Sequence, residues 1–291
     1  MDFYNGYELL ERCQAEALPI SRIMKLREMT SVMRSEEEID KKLEKALSIM
    51  KNAATKPIQT PDKSIGGLIG GEARKISDHA GTDTNVCGSM LSKAIAYSMA
   101  VLEVNASMGL IVAAPTAGSS GVLPGVLLAL ADEHQLPDKN LYDGLLNASA
   151  IGYLLMRNAS VSGAEAGCQA EVGAASAMAA SAVIEMMGGT PEMCLNAASL
   201  ALSNLLGLVC DPIAGLVESP CQSRNAIGVA NAITSAELVL SGITHHIPFD
   251  EMVEAMLRVG KSLPFELRET AMGGCAGTPT GCSLGCNICN N

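Results

Sequence analysis

From residue 89 to residue 240 the chain is written almost wholly in small and aliphatic residues, cut into runs by glycine and proline. The runs are 93–107, 122–133, 142–156, 172–187, 191–207 and 225–240. Each is longer than a typical strand and poor in β-branched and aromatic residues, and none alternates with period two. Such runs can only be helices packed against one another. The chain is 48% hydrophobic but only 3% aromatic and has no Trp, so Ala, Leu, Ile, Val and Met must fill the core. Small residues let central helices approach closely. The single strand candidate is "GLIVAAP" (109–115). The expected fold class is all-α.

Charge supports this reading. The net charge is −11, which opposes a phosphate backbone as partner, so no nucleic acid is expected. Fourteen of the 20 basic residues precede residue 101, and between Lys139 and Arg258 only Arg157 and Arg224 occur. That middle stretch has little to offer water, and an Arg within it is conspicuous. The uncharged run 104–131 is long enough to span a bilayer, but Gly109, Pro115, Gly118, Gly121, Pro124 and Gly125 break it. It reads as a buried turn between helices, with no membrane segment. "MDFYNGYELL" lacks a basic region followed by an apolar one, so a cytoplasmic protein is expected. Ten cysteines in such a chain suit free thiols or metal ligands better than a disulfide framework.

Local signals mark the ends of the molecule. Ser35 followed three residues later by Glu38 is a capping box, and Ile39, Leu43, Leu47 and Met50 continue it at helical spacing. Residues 54–64 read as a Pro-containing linker, and 65–75 as a Gly-rich stretch ending in a basic pair. Residues 1–64 thus form N-terminal helices and a linker. The last helix is expected over 249–261. The Cys-rich tail, 273–291, is expected to be extended, either flexible or held by a site.

Chemistry concentrates in three places. "PTAGSSG" (115–121) offers Thr116, Ser119 and Ser120 on a loop that runs into a helix. It suits either an anion, through unpaired N–H groups, or a structural turn. Cys13, Cys87 and Cys194 read as small buried hydrophobes. Cys168, Cys210 and Cys221 differ: the latter two lie where a helix ends or begins, and a helix N-terminus lowers a thiol's pKa. The tail carries Cys275, Cys282, Cys286 and Cys289, enough ligands for a small zinc module.

"IGGEARK", "ASMGLIVAAPTAGSSGVLPG", "SGAEAGCQAEVGAASAMAA", "GLVCDPIAGLVESPCQSRNA" and "LRETAMGGCAGTPTG" together resemble the alpha chain of iron–sulfur-dependent L-serine dehydratase. The resemblance runs from about Ile20 to Gly281, and makes 1–291 a single catalytic domain of that type. Its most specific part is the cysteine spacing, with 41 residues between Cys168 and Cys210 and 10 between Cys210 and Cys221. The resemblance implies a [4Fe-4S] cluster on these three thiols, with one iron left open as a Lewis acid for the serine hydroxyl. Loss of the Cα proton and of the hydroxyl gives aminoacrylate, whose imine hydrolyses to pyruvate and ammonia. No pyridoxal phosphate is expected.

The same resemblance makes the loop residues Thr116, Gly118, Ser119 and Ser120 the expected seat of the L-serine carboxylate. Arg224 and Asn225 are further candidates, although Arg224 equally suits a salt bridge to Asp211 or Glu218. Lys75 and His79 are candidates for general base or substrate contact, or a solvated surface pair. Cys282 falls where some relatives place a tail cysteine on the open iron. Family members also carry an "S-S-H-T" region that is absent here, so a separate beta chain is expected as partner, in an oligomer. Two rival readings stand beside this one: a lyase that removes sulfide from L-cysteine, and a non-catalytic metal-binding module built on the C-terminal cysteines.

Overall fold

The computed structural model describes residues 2–289, and the side chain of Cys289 lies outside the described residues. The N-terminal helices are α1 (Gly6–Glu16), α2 (Ile20–Thr30) and α3 (Glu36–Gln59), followed by α4 (Glu72–His79). The central helices are α5 (Gly88–Ala106), α6 (Val122–His134), α7 (Asp138–Asn158), the short α8 (Gly163–Ala166), α9 (Ala174–Met186), α10 (Pro191–Asn204) and α11 (Cys221–Leu240). Two more, α12 (Phe249–Ser262) and α13 (Pro279–Cys289), complete the chain. A π-helical turn, Gln169–Gly173, leads into α9. Among the described residues there is no strand, and an isolated parallel bridge joins Cys210 to Arg268. No described helix is long and apolar enough to cross a membrane. The all-α expectation is met.

Composition explains the arrangement. Helix α9 is buried on nearly every side, as expected of a helix with no polar face. It packs against α7, α10, α11 and α6. Close approach relies on small residues: a Cβ at Gly125 of α6 would lie 2.7 Å from the Ala94 carbonyl oxygen of α5. The amphipathic α3 begins as its sequence requires, with Ser35 and Glu38 forming both bonds of the capping box.

Four expectations are corrected. Residues 54–59 are not linker, because α3 continues through Pro57 to Gln59. Ala53, Ala54 and Pro57 are buried in the core, and tertiary packing overrides the cost of an interior proline. The tail is not extended: residues 279–289 form α13, begun by a proline whose fixed φ suits the first turn. Helix α13 packs on the turn Ile213–Gly215, which lies between two of the site cysteines. "GLIVAAP" forms no strand, since no neighbouring strand exists to pair with it. Cys87 is exposed at the start of α5, whereas Cys13 and Cys194 are buried as expected.

Candidate active site

The π-helical turn Gln169–Gly173 fixes the centre of the site. Such turns widen a helix locally and recur at functional sites. Cys168 precedes it and Glu171 lies within it, three residues on, where side chains share a helix face. Cys210 arrives from the chain after α10 and is held by backbone bonds on both sides. Its N–H donates to the Leu267 carbonyl (2.9 Å), and its carbonyl accepts from the Glu269 N–H (2.7 Å). Cys210 is thus in an extended bridge rather than at a helix end. Cys221 opens α11.

The thiols of Cys168 and Cys210 each face Oε2 of Glu171 at 4.0 Å. These three ligand atoms all lie within 4.8 Å of one another. Cys168, Cys210 and Cys221 are all buried and form no disulfide. Burial, then the neighbouring Cys168 and Glu171, push the Cys221 thiol up to about 12. Of the neighbours that act on it, only Arg224 lowers it. Cys210 is raised further, first by its hydrogen bond with Cys168 and then by burial. Glu171 is raised mainly by burial, against the Thr116 hydroxyl, which holds it down. Glu269 adds negative charge toward Glu171, Cys210 and Cys221.

The Gly-rich loop meets this centre at Glu171. Thr116 Oγ1 donates to Glu171 Oε1 (2.8 Å) and lies 3.1 Å from Ser119 Oγ. Ser120 turns instead to the Ala117 carbonyl (2.7 Å). Among the described residues, the backbone N–H groups of Ala117, Gly118 and Ser119 donate no hydrogen bond. Unengaged donors ahead of a helix are what an anion site requires. Asn225 pins the loop to α11: its Oδ1 accepts from Gly121 N (3.1 Å), and its Nδ2 donates to the carbonyls of Gly118 (2.7 Å) and Cys221 (2.9 Å). Its amide is engaged within the chain on both sides.

Arg224 faces inward. Its Nη1 lies 2.5 Å from Asp211 Oδ1, donates to the Val209 carbonyl (2.8 Å) and reaches Cys168 Sγ at 3.7 Å. Of its two possible salt-bridge partners, Asp211 is the one it has. Glu218 does other work. It accepts from Ser64 Oγ (2.6 Å), Gly66 N (2.7 Å) and Leu68 N (2.9 Å), tying the Gly-rich stretch 64–68 to the segment that leads into Cys221.

Lys75 sits on α4 with an exposed ammonium 3.5 Å from Glu72 Oε1, and His79 contacts Thr82. Among the described residues neither makes a hydrogen bond or ion pair to the three cysteines. The Cys282 thiol of α13 donates to the Ala276 carbonyl (3.4 Å), in the segment just before that helix. Glu171 and Glu269 escaped the sequence reading. The signal for Glu171 was a carboxylate three residues after Cys168 in "GCQAEVG"; nothing local marked Glu269.

The donor set fits an iron–sulfur cluster. The Cys168 and Cys210 thiols meet the Glu171 carboxylate; Cys221 is buried nearby but is not part of that close group, and a thiol-rich set of this kind suits a thiophilic group. An all-helical chain with a buried cysteine site of this kind defines a class, and sequence comparison agrees. The serine dehydratase alpha chain family matches residues 15–276, and the chain belongs to that family.

Two relatives are alpha chains of similar length. A probable L-serine dehydratase alpha chain of Bacillus subtilis is 44% identical over 282 residues, covering 97% of this chain and 94% of the relative. The L-serine dehydratase alpha chain of Peptoniphilus asaccharolyticus is 45% identical over 274 residues, 94% of each chain. L-serine dehydratase TdcG of Escherichia coli is 35% identical over 282 residues, 94% of this chain but 62% of that longer one.

Proposed function

We propose that this chain is the catalytic alpha chain of an L-serine dehydratase, converting L-serine to pyruvate and ammonia with a [4Fe-4S] cluster on Cys168, Cys210 and Cys221. The observation that carries this is the meeting of Cys168, Cys210 and Glu171 with the Thr116 hydroxyl at one buried point. When bound, the cluster would supply a Lewis-acidic iron to the substrate hydroxyl, because three thiolates leave one iron without a protein ligand.

The chain's own residues do the rest. The N–H groups of Ala117, Gly118 and Ser119 receive the substrate carboxylate, assisted by the Thr116 and Ser119 hydroxyls. Glu171 holds Thr116 in place, and Asn225 fixes the whole loop against α11. Arg224 balances the charge of the thiols from within, which leaves the loop as the receiver of the carboxylate. Cys168, Cys210, Cys221 and Ser119 are buried, so charge interactions there are strengthened.

The test is anaerobic purification with iron and sulfide analysis. The wild type is expected to be brown, with iron and sulfide in equal amounts. Cys168→Ser loses the chromophore, and Cys286→Ser, altered on the exposed face of α13, keeps it. The reverse pattern would refute the ligand assignment. Pyruvate formation from L-serine and from L-cysteine, measured together with the beta chain, then fixes the substrate.

A further inference from the structure

Asp211 stands next to Cys210 and is almost fully buried. It has two partners from different parts of the chain. One is Arg224 of α11, at 2.5 Å, whose same nitrogen reaches the Cys168 sulfur. The other is the backbone N–H of Cys275, which donates to Asp211 Oδ2 at 2.6 Å. The approach from the C-terminal side is built for this contact. Gly274 has φ +57°, and any Cβ there would collide with the Asp211 carboxylate. Upstream, the same segment is laced to Cys210 through Leu267 and Glu269.

We propose that Asp211 is a positioning residue that clamps the C-terminal segment 268–275 to Arg224, so that seating of this segment sets how firmly Arg224 holds the Cys168 sulfur. The physical link is short: one carboxylate shared between a backbone N–H and a guanidinium. A guanidinium that donates to a ligand sulfur changes the electron density there, and hydrogen bonds to the sulfurs are one of the protein's controls on an iron–sulfur centre. The inference rests on the reading that the three cysteines hold such a centre.

The test uses the full chain, purified anaerobically, and reads two rates and a spectrum. The rates are iron loss to a chelator and trypsin cleavage after Arg268. Asp211→Asn is expected to raise both rates about tenfold, the effect of losing one charge-assisted hydrogen bond. Gly274→Ala attacks the same contact from the segment side and does the same. Arg224→Gln speeds iron loss and shifts the visible spectrum, but leaves the Arg268 bond protected, because the Asp211–Cys275 bond remains. Arg224→Lys restores most of the wild-type spectrum. Met272→Ala, an exposed change in the same segment, alters neither rate. The proposal fails if Asp211→Asn and Gly274→Ala both match the wild type, or if cleavage rises while iron loss does not. A wild-type chain without iron would overturn the cluster reading instead, and the trypsin arm would still decide whether Asp211 clamps the segment.

Discussion

Thr116 shows how one hydroxyl organises the site. It donates to the largely buried Glu171, lies beside Ser119, and so joins the loop to the cysteine centre. Thr116→Val keeps the shape but leaves Glu171 Oε1 without that donor. An unpaired buried carboxylate is costly, and a hydrogen bond to a charged group is worth roughly one to two powers of ten in an equilibrium. Steady-state kinetics with the beta chain present should therefore show kcat/KM roughly 10–100-fold lower for Thr116→Val, with much of it in KM. Thr116→Ser should stay within a few-fold of wild type. An unchanged Thr116→Val enzyme would remove the loop from the substrate site.

At the scale of elements, the apolar core is tied by a few buried polar groups. Glu185 of α9 accepts from the Ser21 N–H at the start of α2 (3.2 Å) and from Asn147 Nδ2 of α7 (2.7 Å). Asn147 also accepts from Ser181 (2.7 Å), closing a network across the helices. Burial raises the Glu185 carboxyl above its ordinary 4.5, although Ser21 and Asn147 oppose this. Between that value and the raised one, the folded state keeps a proton that the unfolded state has released. The stability from this proton is therefore fully present below pH 4.5 and is lost as pH rises through the raised value. Glu185→Gln has no proton to lose. The melting midpoint of the wild type minus that of Glu185→Gln should fall as pH rises through this window and then level off. A difference that rises with pH would show that Glu185 is not raised in the folded chain.

For the whole molecule, the relatives draw a clear contrast. The chain covers 94% of the alpha-chain relatives but 62% of the E. coli enzyme, which carries further sequence in the same chain. On the proposed reading, a separate beta chain is the partner. Purified alone, the chain should form little pyruvate from L-serine, and adding the beta chain should restore turnover. Full activity of this chain by itself would refute the two-chain reading. Much of the architecture was legible beforehand, because uncharged Ala-rich runs between glycines and prolines can bury themselves only as helices. The capping box at Ser35 and the run at 122–133 needed only local chemistry. The helix through Pro57 and the tail helix α13 were not legible, since each depends on a surface supplied by distant residues. In the site, spacing and resemblance pointed to three cysteines, of which the fold brings Cys168 and Cys210 together, whereas Glu171 was hidden in an ordinary-looking helical run.

What the sequence by itself determined was the all-helical class and the central helices, because these depend on residue type and spacing along the chain. What only the tertiary structure decided was which partners those residues meet. Arg224 was open to a substrate or to either of two acids, and the fold places it on Asp211 and the Cys168 sulfur. Asn225 was a candidate for substrate, and the fold uses its amide to pin the loop. The tail had several ways to lie, and the fold seats it through Asp211 and the turn Ile213–Gly215. The physical reason is common to all three: a buried polar group must find a partner, and that partner comes from whichever segment packing brings within reach.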